Sequence, residues 1–527
     1  MKHKSSIIPN LLSGFSVFLI ALPLSVGISL ASGAPPSAGL LAAIIGGMVG
    51  AYLGGSELTI NGPAAGLIVI VLGAIADLGQ GDAMTGFKRT IAAVMIAGLF
   101  QVAFGLFKLG KYGVSVPTSV LHGMMSAIGI SIVAKQTHVA FGVAPTSKEI
   151  LHLLAEIPHS FANFNPEVLI VALFSAVVLL LMMQVPDKIT RYLPAPLVVV
   201  IVGMGLAGFL DFEHEHMVAA HMATMNAGPK FLLNIPDHLS SLFIFPDFSV
   251  VSTSGFWKWV ITIALVASLE SLLSAVAVDR MDVKKRTSDL NRELISKGVC
   301  NSVLGMVGGL PIIAEIVRST ANIKNGATGK LSNFFHGFLI LVFVAIAPHL
   351  LHMIPLSALA VILISVGLRL ANPSQIFHLA EIGKGHALAF LVTLFVTLYD
   401  DLLVGVFCGL LVELGYALVF GKSLKSLFKV YFKKEVDDHK IDLRVTGPVV
   451  FSNWVGLSDE ITKVNKTKKV TLDFSEALLV DHSTIEQIER LRSQGYTADH
   501  LEVIFHPSHE QIAHHPMSGR VKKGKKS

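Results

Sequence analysis

The stretch GGLPIIAEIVRST, Gly308 to Thr320, lies between long apolar runs, opens with two glycines and a proline, and sets Glu315 and Arg318 three residues apart. Three apart on a helix is one face, so the two side chains are expected within reach of each other. A second stretch, INGPAAGLIVIV from Ile60 to Val71, has the same design. Pro63 and Pro311 suit the first turn of a helix, where the amide has no partner in any case. The amides just beyond, of Ala64 and Ala65 on one side and of Ile312, Ile313 and Ala314 on the other, are then without intrahelical acceptors. Interrupted segments at matching places in two halves point to an inverted repeat with a site near the bilayer midplane. Two such helix starts facing one another would form a positive pocket for an anion. The alternative is a pair of ordinary membrane helices that begin at proline, since Gly and Pro are common in such spans.

Composition supplies the membrane. Of the 527 residues 52% are hydrophobic and only 15% charged, far from the balance of a soluble globular chain. Apolar runs long enough to cross a hydrocarbon core of roughly 30 Å recur from Leu11 to about Phe420 and then stop. Gly, Pro and charged breaks divide them into about fourteen segments, near residues 12–30, 37–53, 62–78, 88–107, 114–134, 167–185, 195–210, 256–278, 294–308, 311–323, 331–347, 355–370, 386–400 and 402–421. The start MKHKSS leads into a full-length apolar segment, so the first span is expected to stay rather than be cleaved as a leader. Cys300 and Cys408 both fall in or beside spans, which excludes a disulfide framework and a CxxC site. Short cytoplasmic loops carry the Lys and Arg excess. With Lys2 and Lys4 inside, Lys108 and Lys111, Lys188 and Arg191, the cluster from Arg280 to Arg292, Lys324 and Lys330, and Lys422 onward fall inside as well. The acid- and histidine-rich loop from Asp211 to Gly255 and the pair Asp400 and Asp401 fall outside. An even number of spans with both termini cytoplasmic is expected.

At this point the residues resemble a known family. ALPLSVGISLASGAPPSAGL (Ala21 to Leu40), LTINGPAAG, LVASLESLLSA (Leu265 to Ala275), GGLPIIAEIVRSTANIKNGATGKLSNFFHG and YDDLLVGVFCGLL look, in that order, like the signature segments of the SulP (sulfate permease) anion transporters. They cover nearly all of residues 10–420. Beyond a basic stretch, IDLRVTGPVVFSN, KKVTLDFSEALLVDHSTIEQIERLRSQG and LEVIFHP alternate strand and amphipathic helix. This part resembles the small α/β STAS domain that SulP proteins carry. The resemblance implies a polytopic α-helical membrane protein of the cell membrane, with a seven-plus-seven inverted repeat divided into core and gate, moving inorganic anions by an elevator-like motion, commonly as a homodimer. The expected division is a transporter domain over 1–421, a basic linker 422–439, a short STAS domain 440–512, and a basic tail 513–527. In STAS proteins switched by phosphorylation a Ser or Thr follows the residue matching Asp481; here His482 intervenes before Ser483 and Thr484, which favours an ordinary helix cap.

Arg318 matches the family's tenth-span arginine and is the natural counter-charge for an oxyanion, with Ser319 beside it and Ser25 on the first span. An internal salt bridge is its alternative role. Glu315 stands where many members have a small polar residue. It would repel the anion unless neutralised by Arg318, a proton or a cation. Either it holds Arg318 in the empty carrier until a cation or proton frees the arginine, or it forms a permanent pair. Glu270 is the only charged residue between Trp259 and Val278, and a lone carboxylate there is a functional candidate. In the bicarbonate-carrying members an acidic residue at this place helps form a sodium site; Glu270 with Ser274 offers hard oxygen ligands to Na+, or Glu270 carries a proton. No cofactor is expected beyond such a coupling ion. Leu24 stands where sulfate-type members often have glutamine, which tilts the expectation toward a monoanion such as bicarbonate.

Three motifs are set aside. His214, His216 and His221 lack HExxH spacing. Tyr399 and Asp400 with GQGD at Gly79 to Asp82 are in the wrong order for paired catalytic aspartates, so no enzyme is expected. The net charge of +5 is explained by cytoplasmic bias and anionic membrane lipid rather than nucleic acid. Competing readings are a C4-dicarboxylate carrier of the same family and a membrane-anchored STAS signalling scaffold.

Overall fold

Helices dominate as far as Gly421 and a mixed sheet follows. The computed structural model describes residues 7–113, 115–146, 149–190, 192–220, 223–236, 238–421, 424–437, 440–462, 469–493 and 501–522; Lys2, Lys4, Arg191, His221 and Lys422 lie outside them. Among the described residues, seven helices are long and apolar enough to cross a bilayer, or eight if the pair Ile150–Ala162 and Pro166–Met182, bent by 111°, is one span. Four further apolar helices, Ala65–Gly79, Ala195–Phe209, Leu331–Ile346 and Lys384–Tyr399, are shorter. Every expected segment holds a helix, but two begin late: the helices of the interrupted stretches start at Ala65 and Ile316 rather than at their prolines.

The chain divides into two compact units, Met1–Gly110 with Ile128–Ala371, and Lys111–Ala127 with Asn372–Ser527. In the first, Ile7–Ala31 and Pro36–Leu53 cross so closely that a Cβ on Gly39 would stand 2.0 Å from the Ser25 carbonyl oxygen. Membrane helices approach at small residues because packing rather than water exclusion holds them together. Glu293 and Lys297, one turn apart on Leu290–Val307, form a fully buried ion pair at 2.5 Å. Its carboxylate also accepts the Ser56 amide at 3.0 Å, so the desolvated charge is hydrogen-bonded as well as paired.

In the second unit, His386 on Lys384–Tyr399 places Nδ1 2.8 Å from Glu413 Oε1 on Leu402–Gly421, and Ser119 donates to the same oxygen. Its sheet is built on the long strand Lys469–Val480. Lys440–Val449 lies parallel on one side of that strand, with Tyr431–Val436 antiparallel beyond it. On the other side the first half of the strand takes Leu501–Ile504 in parallel, and its end takes Arg520–Lys522 antiparallel, with His509–Gln511 outermost. Trp454–Thr462 and His482–Ser493 cover the sheet around Leu443, Val445, Trp454, Leu457, Leu472 and Phe474. The sheet thus runs wider than residues 440–512: Tyr431–Val436, expected as linker, and Arg520–Lys522, expected as tail, pair strand groups that would otherwise be edges. Asp481 caps the helix His482–Ser493, accepting from Thr484 N at 2.7 Å, while Ser483 and Thr484 are buried.

Candidate functional site

The two interrupted stretches meet as strands. Ile60–Pro63 pairs antiparallel with Ile312–Glu315, in the register Ile60↔Glu315, Asn61↔Ala314, Gly62↔Ile313 and Pro63↔Ile312. Proline disfavours the helical region for the residue before it, which suits Gly62 inside the first strand, and the β-branched Ile312 and Ile313 favour the extended conformation of the second. Pro63 therefore ends a strand and Pro311 precedes one, which corrects the expectation that each opens a helix.

Buried side chains pin this pair from all sides. Asn301 Oδ1 accepts from the Ile312 amide at 2.7 Å, and its Nδ2 donates to the Ile312 carbonyl at 3.3 Å. The same Nδ2 reaches Gln101 Oε1 at 2.8 Å, and Gln101 donates to Ser268 at 3.2 Å. Ser271 Oγ accepts from the Ala314 amide at 3.4 Å, and Asn333 Oδ1 accepts from the Asn61 amide at 3.1 Å. Ser319 donates to the Glu315 carbonyl at 2.6 Å and accepts from the Ile60 amide at 2.8 Å. The donors assigned to an anion at Ile312, Ala314 and Ser319 are thus spent on architecture. Ile313 is buried within the strand.

The charged groups also differ from the expectation. Glu315 is the last strand residue, with φ −93° and ψ 114°, so helical spacing does not carry it toward Arg318. Among the described residues no ion pair within 4.0 Å joins the two. The Glu315 carboxylate instead lies near the Ala65 backbone N–H, at the start of the Ala65–Gly79 helix. Glu270 comes to the next residue along: a Cβ on Gly66 would lie 2.0 Å from its Oε1. Two carboxyl groups thereby share the start of the Ala65–Gly79 helix, with Glu270 within range of the charge on Glu315, and Ser274 lies one turn beyond Glu270. Glu270, Ser274, Ala65 and Glu315 are partly exposed, whereas Ala64 is buried.

Arg318 is 1% exposed. Its Nη1 packs over Gly62, Nη2 donates to the Pro63 carbonyl at 3.4 Å, and Nε and Nη1 find no acceptor among the described residues. His336, close enough to feel its charge, has both ring nitrogens buried and unpartnered, and Asn61 Oδ1 and Ser25 Oγ are also unpartnered. Uncompensated buried polar groups of this kind are costly and call for a ligand or a movement that supplies partners. Sequence reasoning missed Asn61, Gln101, Asn301, Asn333 and His336. Their signal is a polar residue inside an apolar helix or just ahead of one, as in LSNFFHG, where Asn333 and His336 stand three apart.

Residues 7–393 match the profile described as the Sulfate permease family. The chain is 30% identical over 473 residues to "Putative sulfate transporter YvdB" of Bacillus subtilis (strain 168), covering 88% of this chain and 84% of that protein. Among solved structures, the transmembrane domain of a cyanobacterium bicarbonate transporter, BicA, is similar at TM-score 0.63 and 25% identity over 76% of this chain and 97% of that one. The murine Solute Carrier 26 family member A9 anion transporter in the inward-facing state has TM-score 0.67 at 17% identity over 96% of this chain and 86% of that one, a likeness of fold that extends through the sheet region. With the helical unit matched nearly end to end, the chain belongs to the sulfate permease family, as an integral multi-pass membrane transporter and not an enzyme.

Proposed function

We propose that this protein is a secondary active transporter of a small inorganic anion, bicarbonate or sulfate, coupled to Na+ or H+. In this reading residues 1–421 form fourteen spans as a seven-plus-seven inverted repeat of core and gate. The linker, the STAS-like sheet domain and both termini face the cytoplasm, and the carrier pairs as a homodimer. The observation that carries the reading is the antiparallel pairing of Ile60–Pro63 with Ile312–Glu315, because it joins two helix starts, two carboxyl groups and a buried guanidinium with two unpartnered nitrogens in one place. The Ala65 amide is a donor an anion would use, and the Glu315 carboxylate stands beside it. Two carboxylates at adjacent residues need a cation between them or a shared proton. With Glu315 neutralised, the helix start becomes attractive to an anion; Arg318, reached by movement of the Ile316–Lys324 helix, supplies the counter-charge.

One arginine against two carboxyl groups, with the apolar Leu24 buried on the first helix, favours a monoanion, and bicarbonate is the preferred cargo. The test is uptake of labelled bicarbonate and labelled sulfate by the purified protein in liposomes, each with and without an inward Na+ gradient at fixed pH. Na+-dependent bicarbonate uptake is expected. Sulfate uptake indifferent to Na+ would replace bicarbonate with sulfate and Na+ with H+; competition by succinate would favour the dicarboxylate carrier. A scaffold predicts no uptake at all.

A further inference from the structure

His378 and Glu381 stand one turn apart on the short helix Ser374–Ile382, on one face of it. His515 comes to them from the far end of the chain, and one ligand atom from each of the three lies within 4.8 Å of the others. The two imidazoles meet edge to face with centroids 5.2 Å apart.

This meeting is built. The loop bearing His515 is closed on itself, with Ser518 N donating to the His515 carbonyl at 2.9 Å and Ala513 N donating to Ser518 Oγ at 2.9 Å. Ser518, fully buried, donates in turn to the Ile382 carbonyl at 2.7 Å, which fastens the loop to the end of the helix that carries His378 and Glu381. His482 Nδ1 holds the Met517 carbonyl at 2.6 Å from the other side. A loop fixed in this way presents His515 without the entropy cost of ordering it on binding. His515 Nδ1 accepts the Met517 amide in a long 3.2 Å contact, which a ligand at this ring displaces.

We propose that His378, Glu381 and His515 bind a borderline divalent transition-metal ion, with Zn2+ as the probe. The ion ties the C-terminal loop of the sheet domain to the Ser374–Ile382 helix. Two imidazoles and one carboxylate are a set suited to Zn2+, whereas Mg2+ and Ca2+ take oxygen ligands. Tetrahedral coordination with bonds near 2.0–2.1 Å separates ligand atoms by roughly 3.3 Å. Because His378 and Glu381 are exposed on a helix surface, small rotations bring them to that spacing. Water completes the sphere.

The experiment is Zn2+ binding by the full chain in detergent, stripped with chelator and desalted, read by metal content, equilibrium dialysis and X-ray absorption. The expected result is one Zn2+ per chain with nitrogen and oxygen neighbours and no sulfur, unaffected by excess Mg2+. His378→Ala should weaken it tenfold or more, and His378→Cys should restore it with a sulfur neighbour near 2.3 Å. Neither change touches the transport site, so labelled-anion uptake reports that each variant is folded. Absence of stoichiometric Zn2+, binding unchanged in His378→Ala with His515→Ala, or binding abolished instead by His214→Ala with His216→Ala, overturns the proposal.

Discussion

Glu315 and Ser319 show how a residue's neighbours, rather than its type, decide what it does. A glutamine at 315 keeps an oxygen near the Ala65 amide and removes one of the two neighbouring carboxyl groups. Glu315→Gln is expected to retain transport at saturating cation while apparent affinity for the coupling ion falls at least tenfold; uptake with an unchanged Na+ and pH profile would leave Glu315 a structural cap. Ser319 has the opposite character. Its one proton goes to the Glu315 carbonyl and its lone pair to the Ile60 amide, so Ser319→Ala orphans a buried N–H. The expected cost is about 1–3 kcal/mol of stability, seen as a lower melting temperature, with the KM for the anion unchanged. A raised KM at unchanged melting temperature would return Ser319 to the list of ligands.

At the scale of elements, the two close glycine approaches differ in what a methyl group would strike. At Gly66 it meets the end of the flexible Glu270 side chain, whereas at Gly39 it meets the Ser25 backbone at the crossing of two helices. Gly66→Ala should therefore fold well and lose cation dependence as the Glu270 carboxyl is pushed aside; Gly39→Ala should lose yield and thermal stability. Equal stability loss in both would mean that Glu270 is as rigid as backbone, and the proposed cation site would lose its basis. The same elements mark what was legible beforehand. Gly and Pro announced both interruptions, and Glu270 stood out as a lone charge in an apolar span. That the interruptions pair as strands was not legible, because four extended residues are too few to show a period of two. The polar pins Gln101, Asn301 and Asn333 were hidden for a related reason: their partners are hundreds of residues away in some cases, and an uncharged polar residue in a span acquires meaning only from its partner.

For the whole molecule, acid response in the second unit turns on adjacent residues with opposed burial effects. Burial pushes Asp481 up to about 6, against hydrogen bonds from Thr484 and Phe451 that favour its ionised form. Its folded value exceeds the ordinary 3.8, so its stabilising contribution is full below that value and is lost as pH rises through about 6. Burial pushes His482 down to about 4 from 6.5, so its contribution is full above 6.5 and is lost as pH falls through about 4. His386 and Glu413 act electrostatically on this pair as well. Between these limits the two trends offset, and the parent protein should unfold at nearly the same temperature from pH 4 to 6, followed by the fluorescence of Trp454, which is buried in the sheet domain. Asparagine is also a good helix cap, so Asp481→Asn should keep the fold and expose the histidine alone, with melting temperature climbing as pH rises through this window. His482→Gln, which keeps a donor for the Met517 carbonyl, should give the reverse slope. If both variants follow the parent's profile, the two groups do not titrate in the folded domain over this range. The flat response would then belong to the sheet as a whole rather than to a balance between neighbours.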